Sequence, residues 1–378
     1  MRAALRLRDA LVPYIYSAGR AAATTGVSLL RPMYYSHPTQ DNAYTHSGQY
    51  MFGADILAAP VSEPVSTVDE KAPKDVWFPP TAGGRTWVAW TNGEAAVAAA
   101  AVGAAAGGGA AVGGAVFHGR WARDEIPLFV LSGSIVPMRT MASTHTPFVD
   151  PVVWATWLPA QGAGPEQEQM NGGGEEGAGG AGSAGAAGAA GQQAALYEDR
   201  GDGFEYLSDE FIGEGGGAAA AAATHTETCG SVVSGVVGGP ASAVTVASVE
   251  ALPQCQVSTA TKGNDACSAV NITIQPTCGT FAGQGTTRNH LVQVRGAAGG
   301  TPTRVTVNGK IVPRMSPPAA MGETAKDQEG WYLAVPRADG AAALTEPAGS
   351  VVVSTGRQGI RTRVVVVVEF GQWDVDTK

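Results

Sequence analysis

Apolar residues recur along this chain with two different periods, and the change falls near residue 50. Between residues 3 and 25, Leu7, Leu11, Ile15, Ala18 and Ala22 stand at helical spacing, and Gly26 sits where a left-handed glycine would close the helix. Pro13 lies inside this pattern and predicts a kink. The run Val27 to Tyr35 is largely apolar and of strand length, so it predicts a fully buried strand following a helix. From Ile56 onward the pattern alternates in short stretches separated by turn residues. Strands are predicted over 75–79 and 86–90, and a hairpin over 126–138 turning at Ser132-Gly133. Further strands are predicted over 151–159, 195–206, 243–252, 271–275, 290–295, 304–312 with an Asn308-Gly309 turn, 331–335, 350–354 and 363–370. Such spacing predicts antiparallel β-sandwiches.

The junction between the two regimes is Tyr50 to Val61, where an aromatic pair (Tyr50, Phe52), Gly53 and the run from Ile56 describe a buried turn and a short strand. Three Ala/Gly-rich segments, 95–116, 162–191 and 213–223, interrupt the β pattern. Each glycine costs about 1 kcal/mol in a helix interior, and these segments offer little apolar surface to bury. They are expected to be loop insertions without chemistry.

Four blocks carry a resemblance. Leu11 to Val61, Val76 to Glu94 (VWFPPTAGGRTWVAWTNGE), Asp124 to Met138 (DEIPLFVLSGSIVPM) and Ala195 to Tyr206 (ALYEDRGDGFEY) are similar, in the same order, to the end of the catalytic barrel and the following β domains of glycoside hydrolase family 31. That family contains α-glucosidases, α-xylosidases and glucosidase II. The resemblance implies a mainly β fold: the last α/β unit of a (β/α)8 barrel over 1–50, a proximal β-sandwich domain over 51–141 and a distal β domain over 142–378. Within it, Val27 to Tyr35 would be the last barrel strand, with 36–48 as the loop at its C-terminal end. The activity it implies for the whole enzyme is retaining hydrolysis of an α-glycosidic bond, in carbohydrate metabolism.

A retaining glycosidase needs two carboxylates about 5 to 5.5 Å apart. In the family both are aspartates on earlier barrel strands, the nucleophile within a W-x-D-M-N-E-like motif, and neither block occurs in this sequence. The chain is therefore expected to lack catalytic, cofactor-binding and metal-binding residues. It reads as an inactive C-terminal portion, whose carbohydrate substrate would bind the barrel. Asp55 reads as a turn carboxylate at a strand start. Glu198 to Gly203 lacks the alternating ligands of a calcium loop and reads as an Asx turn. His37, His46, His118 and His145 stand without a nucleophile in frame, and Arg31 and Arg123 are expected to pair with acidic neighbours. Trp77, Trp87, Trp90 and Trp121 favour core packing, with a sugar-stacking surface as the alternative. The rival reading from another class is a non-catalytic carbohydrate-binding or subunit-contact β module.

Composition changes little in this picture. The 378 residues leave room for two or three domains, although 52 are glycine. A net charge of −9 argues against nucleic acid or an anionic membrane surface as partner. No apolar run reaches the roughly 18 to 20 residues of a membrane span, and the first sixteen residues have no signal-peptide core. Cys229, Cys255, Cys267 and Cys278 match no metal-binding or redox spacing; free thiols are expected and disulfides stay open. Asn271-Ile-Thr273 is a glycosylation sequon. Finally, the Leu7, Leu11 and Ile15 face expects a barrel to pack against, so residues 1–50 are predicted to be poorly packed and protease-sensitive in this chain alone.

Overall fold

A computed structural model describes residues 2–81, 85–91, 114–123, 125–140, 148–158, 192–201, 242–253, 268–296, 301–318, 328–335 and 345–370. In chain order the elements are α1 (Arg2–Ala10), α2 (Val12–Thr25), β1 (Leu30–Pro32), α3 (Met33–Ser36), α4 (Asn42–Thr45), β2 (Tyr50–Phe52), β3 (Ile56–Ala58), β4 (Lys71–Phe78), β5 (Trp87–Ala89), β6 (Ala115–Ala122), β7 (Leu128–Leu131) and β8 (Ile135–Arg139). They continue with β9 (Val152–Trp157), β10 (Gln192–Asp199), β11 (Ser242–Pro253), β12 (Ser268–Ile274), β13 (Cys278–Gly279), β14 (Thr287–Arg295), β15 (Pro302–Val307), β16 (Lys310–Ile311), β17 (Glu329–Leu333), β18 (Val351–Gly359) and β19 (Val364–Phe370).

The strands form four sheets among the described residues. A five-stranded antiparallel sheet runs β1-β2-β3-β7-β5, and β4 pairs with β6 in a two-stranded ribbon. A second five-stranded sheet runs β17-β18-β14-β9-β8, in which β9 and β14 are parallel. The seven-stranded sheet runs β10-β11-β12-β19-β15-β16, with β13 pairing against β11.

Alternation along the strands stacks these sheets into layers. Leu57, Trp87 and Phe129 on one face of the first sheet meet Val76, Trp77 and Phe78 of the ribbon. On its other face Ile56, Val88 and Val130 meet Val136, Val153, Ala155 and Trp157 of the second five-stranded sheet. That sheet turns Ile135, Val152, Trp154, Val292 and Val353 the opposite way, onto Leu196, Ile272, Val305, Val366 and Val368 of the seven-stranded sheet. Arg295 is the rivet between the first two five-stranded sheets. Its guanidinium lies 5.0 Å from the Trp90 ring centre and 4.8 Å from that of Trp157, and it donates to the Trp90 carbonyl at 3.2 Å.

The structure changes several expectations. Pro13 does not kink one helix; the chain breaks at Leu11, and Pro13 sits in the first turn of α2, where its missing N–H is not needed. Gly26 closes α2 at φ 73°, as its position predicts. The predicted strand Val27 to Tyr35 shrinks to Leu30–Pro32, an edge strand pairing antiparallel with β2, and the chain then turns into α3. Pro32 has no N–H to continue a ladder, and the following residues take helical geometry. The stretch 126–138 is not a hairpin: β7 lies between β3 and β5, while β8 pairs with β9 in the next sheet. Gly133, at φ 78°, is the corner between them.

Residues 115 and 116, expected inside the first insertion, begin β6 and pair with Phe78 and Trp77. Residues 95–113 of that insertion, and the whole of 162–191 and 213–223, lie outside the described residues, as do Cys229, Cys255, Cys267 and His145. Cys278 is disulfide-bonded, against the free-thiol expectation. The helical face also has a partner in this chain. Leu7, Ala10 and Leu11 are buried in the seam with Trp90 and Trp157, and Asp9 pairs with Arg139 of β8.

Candidate functional site

Several carboxylates are held by structural partners. Asp55, in the turn before β3, takes a 2.9 Å ion pair from Arg85, whose other donors reach the Ser132 carbonyl and Ser134 Oγ. Arg85 thus ties the Gly53 turn to the corner where the chain changes sheets. Asp75 pairs with His118, Asp69 with Arg120, Asp150 with Arg357, and Glu329 with Lys310. Arg120 holds the Asp69 carboxyl down at about 2. Arg31 donates to the Ser28 carbonyl at 2.8 Å, where an acidic partner was expected.

Beside Asp55 lies a small cleft of about 70 Å3 between α2, β8, β10 and the Gly53 turn, with Tyr14, Arg31 and Gln193 among its polar walls. Tyr14 donates to the Phe52 carbonyl at 2.9 Å, and burial, with Asp55 adding to it, raises its phenol well above the ordinary value. A phenol held protonated in this way positions a backbone turn; it does not supply a base.

At the end of β10 the sequence motif divides into two roles. Asp199 accepts from the Gly201 N–H at 2.8 Å, the expected Asx turn, and also from Tyr16 at 2.7 Å. Glu198 instead points inward and bonds Arg288, both side chains being essentially inaccessible (2% and 0%). The Val149 N–H donates to the same carboxylate at 2.8 Å, and the Arg288 guanidinium lies 4.1 Å from the Phe148 ring centre. Burial pushes the Glu198 carboxyl up, and Arg288 offsets part of that. Next to it, burial and the Arg288 charge bring His290 down to about 3, so its Nδ1 stays free to accept from Trp154 at 3.2 Å. Sequence reading missed this cluster, because Arg288 stands just before the predicted strand 290–295.

The tryptophans are core. Trp77, Trp87 and Trp90 are buried, and Trp121 packs edge-on against Phe117 and Phe129. Among the described residues a cluster of exposed aromatic side chains lies on α3 and α4. Met33 and Ala43 anchor these short helices in the core, while Tyr34, Tyr35 and Tyr44 remain exposed at 42%, 61% and 53%. Tyr34 stacks on Tyr44 with ring centres 5.5 Å apart and planes within 8°, and Tyr35 meets Tyr34 edge-on at 5.3 Å. Each helix ends on a histidine that packs against one indole: His37 edge-on to Trp77 at 5.7 Å, His46 stacked at 6.5 Å. The sequence signal for this shelf was Tyr34-Tyr35 itself, which the strand reading of 27–35 absorbed. No group of three or more His, Cys, Asp or Glu side chains suited to a metal ion occurs among the described residues. No described helix is long and apolar enough to cross a membrane.

Comparison with known proteins gives these features a context. Residues 26–136 match the family model described as glycosyl hydrolase family 31 C-terminal domain. A probable alpha/beta-glucosidase of Aspergillus clavatus is 28% identical over 154 residues, which is 38% of this chain and 14% of the relative. Neutral alpha-glucosidase C of Mus musculus is 26% identical over 149 residues, 39% of this chain and 14% of the relative. The matched region thus corresponds to about one seventh of these relatives' length. Among solved structures, a family 31 dextranase of Flavobacterium johnsoniae, complexed with isomaltotriose, aligns over 97% of this chain and 32% of its own with a TM-score of 0.56 at 17% identity. A cycloalternan-forming enzyme of Listeria monocytogenes aligns over 97% of this chain and 23% of its own with a TM-score of 0.51 at 17% identity. The sheets described above are therefore the β fold found in these enzymes, and residues 26–136 are similar to the C-terminal domain of glycosyl hydrolase family 31.

Proposed function

We propose that this chain is the non-catalytic β portion of a retaining α-glucosidase-like glycoside hydrolase acting on α-linked glucosides or related oligosaccharides. The observation that carries the reading is the family match over 26–136. It is supported by the state of the carboxylates: Asp55, Asp150 and Glu198 are each held by an arginine, and Asp75 by His118, in structural roles. A nucleophile and an acid/base must face a shared, open site, and these residues lie in separate structural contexts. The division proposed for the chain is 1–50 as the end of the catalytic barrel, 51–141 as a proximal sandwich and 142–378 as a distal β domain. The β layers then serve to buttress a barrel that carries the chemistry.

The test is an assay of the purified chain on aryl α-glucosides and maltose. No hydrolysis above a blank preparation is expected. Hydrolysis that follows the protein through purification and disappears in Asp55→Asn would overturn the reading.

A further inference from the structure

Among the described histidines only His290 is buried, at 4% exposure. It pairs with Val152 across the parallel ladder and stands two residues before Val292, on the face of β14 that meets the seven-stranded sheet. Its Nδ1 accepts from Trp154 Nε1 at 3.2 Å, and its backbone N–H donates to Thr355 Oγ1 at 3.1 Å, so the residue is held between β9 and β18. On the same strand Arg288 crosses to the other sheet, bonding Glu198 of β10 and lying 3.4 Å from Thr245 Oγ1 of β11. The remaining charges around this joint are paired with one another: Asp150 ahead of β9 with Arg357 of β18, and Arg139 of β8 with Asp9. The charge that acts on the ring is that of Arg288. Only a neutral imidazole can make the contact seen here. A proton on Nδ1 would set two N–H donors facing each other at 3.2 Å, with a buried guanidinium adding like charge.

We propose that His290 is an acid-sensitive latch at the joint between the second five-stranded sheet and the seven-stranded sheet: its neutral ring holds Trp154 in the core, and its protonation releases the joint. The inference goes beyond the glycosidase reading and does not depend on it, so either can fail alone. Linkage gives the direction. In an unfolded chain a histidine takes up its proton near 6.5, whereas burial, and then Arg288, bring His290 in the closed joint down to about 3. Between these values the opened form holds one proton more. The joint is therefore firm above 6.5, and its closing equilibrium weakens by about tenfold per pH unit below that value. Glu198 acts in the opposite direction, because burial raises its carboxyl and the closed form is the first to protonate it. Comparison with a variant at position 290 cancels that contribution, which is common to both proteins.

The experiment is hydrogen exchange of the purified chain, read by mass spectrometry at about pH 7.5 and about pH 5 after correction for intrinsic exchange. Beside it runs His290→Asn, whose Oδ1 replaces Nδ1 as the acceptor for Trp154 and does not titrate. At the higher pH both proteins should protect 152–157 and 287–295 equally. At the lower pH, opening of these strands should rise by about tenfold to thirtyfold more in the unaltered chain than in the variant. Residues 71–78, in the β4–β6 ribbon, should respond alike in both. An equal response of β9 and β14 in the two proteins overturns the proposal. So does a ribbon that opens as much as β9 and β14 in the unaltered chain. If His290→Asn does not fold, that second comparison decides alone: selective opening of β9 and β14 in acid supports the latch, and uniform or absent opening overturns it.

Discussion

Arg288 and Glu198 show what a buried charge costs and why it is kept. Both are shut off from solvent, and together with Phe148 and the Val149 N–H they join β10 to β14, strands of different sheets in the distal layers. Removing one partner leaves the other charged and unpaired inside the core, so Arg288→Met or Glu198→Leu should each destabilise by about 3 to 5 kcal/mol. The paired substitution Arg288→Met with Glu198→Leu replaces both ions by apolar volume and should cost far less than the sum. Urea denaturation of the four proteins measures this coupling. Equal and additive losses would mean that the side chains act independently. None of this could be read from the sequence. A strand pattern identifies which residues face inward, but an inward Arg and an inward Glu separated by 90 positions become partners only once the sheets are stacked.

At the scale of elements, the Gly53 turn is where backbone conformation and packing meet. Gly53 has φ 76°, and a Cβ there would fall 1.6 Å from the Tyr14 hydroxyl that bonds the Phe52 carbonyl. Gly53→Ala should therefore destabilise by roughly 2 kcal/mol or more, combining left-handed strain with the displaced phenol. Tyr14→Phe in the same background should recover part of the loss, since it removes the clashing oxygen; thermal unfolding of the single and double variants decides it. The sequence marked Gly53 as such a position and placed most strands, because period-two alternation and turns such as Asn308-Gly309, with φ 51° and 79°, are local signals. It misplaced elements where local signal was ambiguous. Val27 to Tyr35 is mostly apolar, which fits a strand or a strand end running into a helix, and only pairing with β2 selects the second. Ser132-Gly133 looks like a hairpin turn, yet the neighbours available to β7 and β8 lie in different layers.

For the whole molecule, the first fifty residues change the expected behaviour of the chain. Sequence reading left their apolar face without a partner, whereas Leu7, Ala10 and Leu11 fill the seam between the two five-stranded sheets. Further along, Ser17 accepts from the Tyr197 N–H at 2.9 Å and Arg20 lies over the Tyr197 ring. Limited proteolysis followed by mass spectrometry should thus spare residues 2–50, with Leu7→Ala or Leu11→Ala opening them to cleavage at a cost of about 2 to 5 kcal/mol. Early loss of the N-terminal helices from the unaltered chain would contradict this packing.

The parallel pairing of β9 with β14 also sets an order of events during synthesis. Val152 has to wait for His290, its partner across the ladder, while the intervening chain is made. At ~5 to 20 residues per second, the roughly 140 residues between them occupy about 7 to 28 s on the ribosome. Over that interval Trp154 and Trp157, both fully buried at the end, belong to a strand lacking one neighbour. A nascent chain of this kind is exposed to capture by chaperones for as long as translation is slow, so codon usage between Trp157 and His290 becomes a determinant of yield even though it changes no atom of the folded protein.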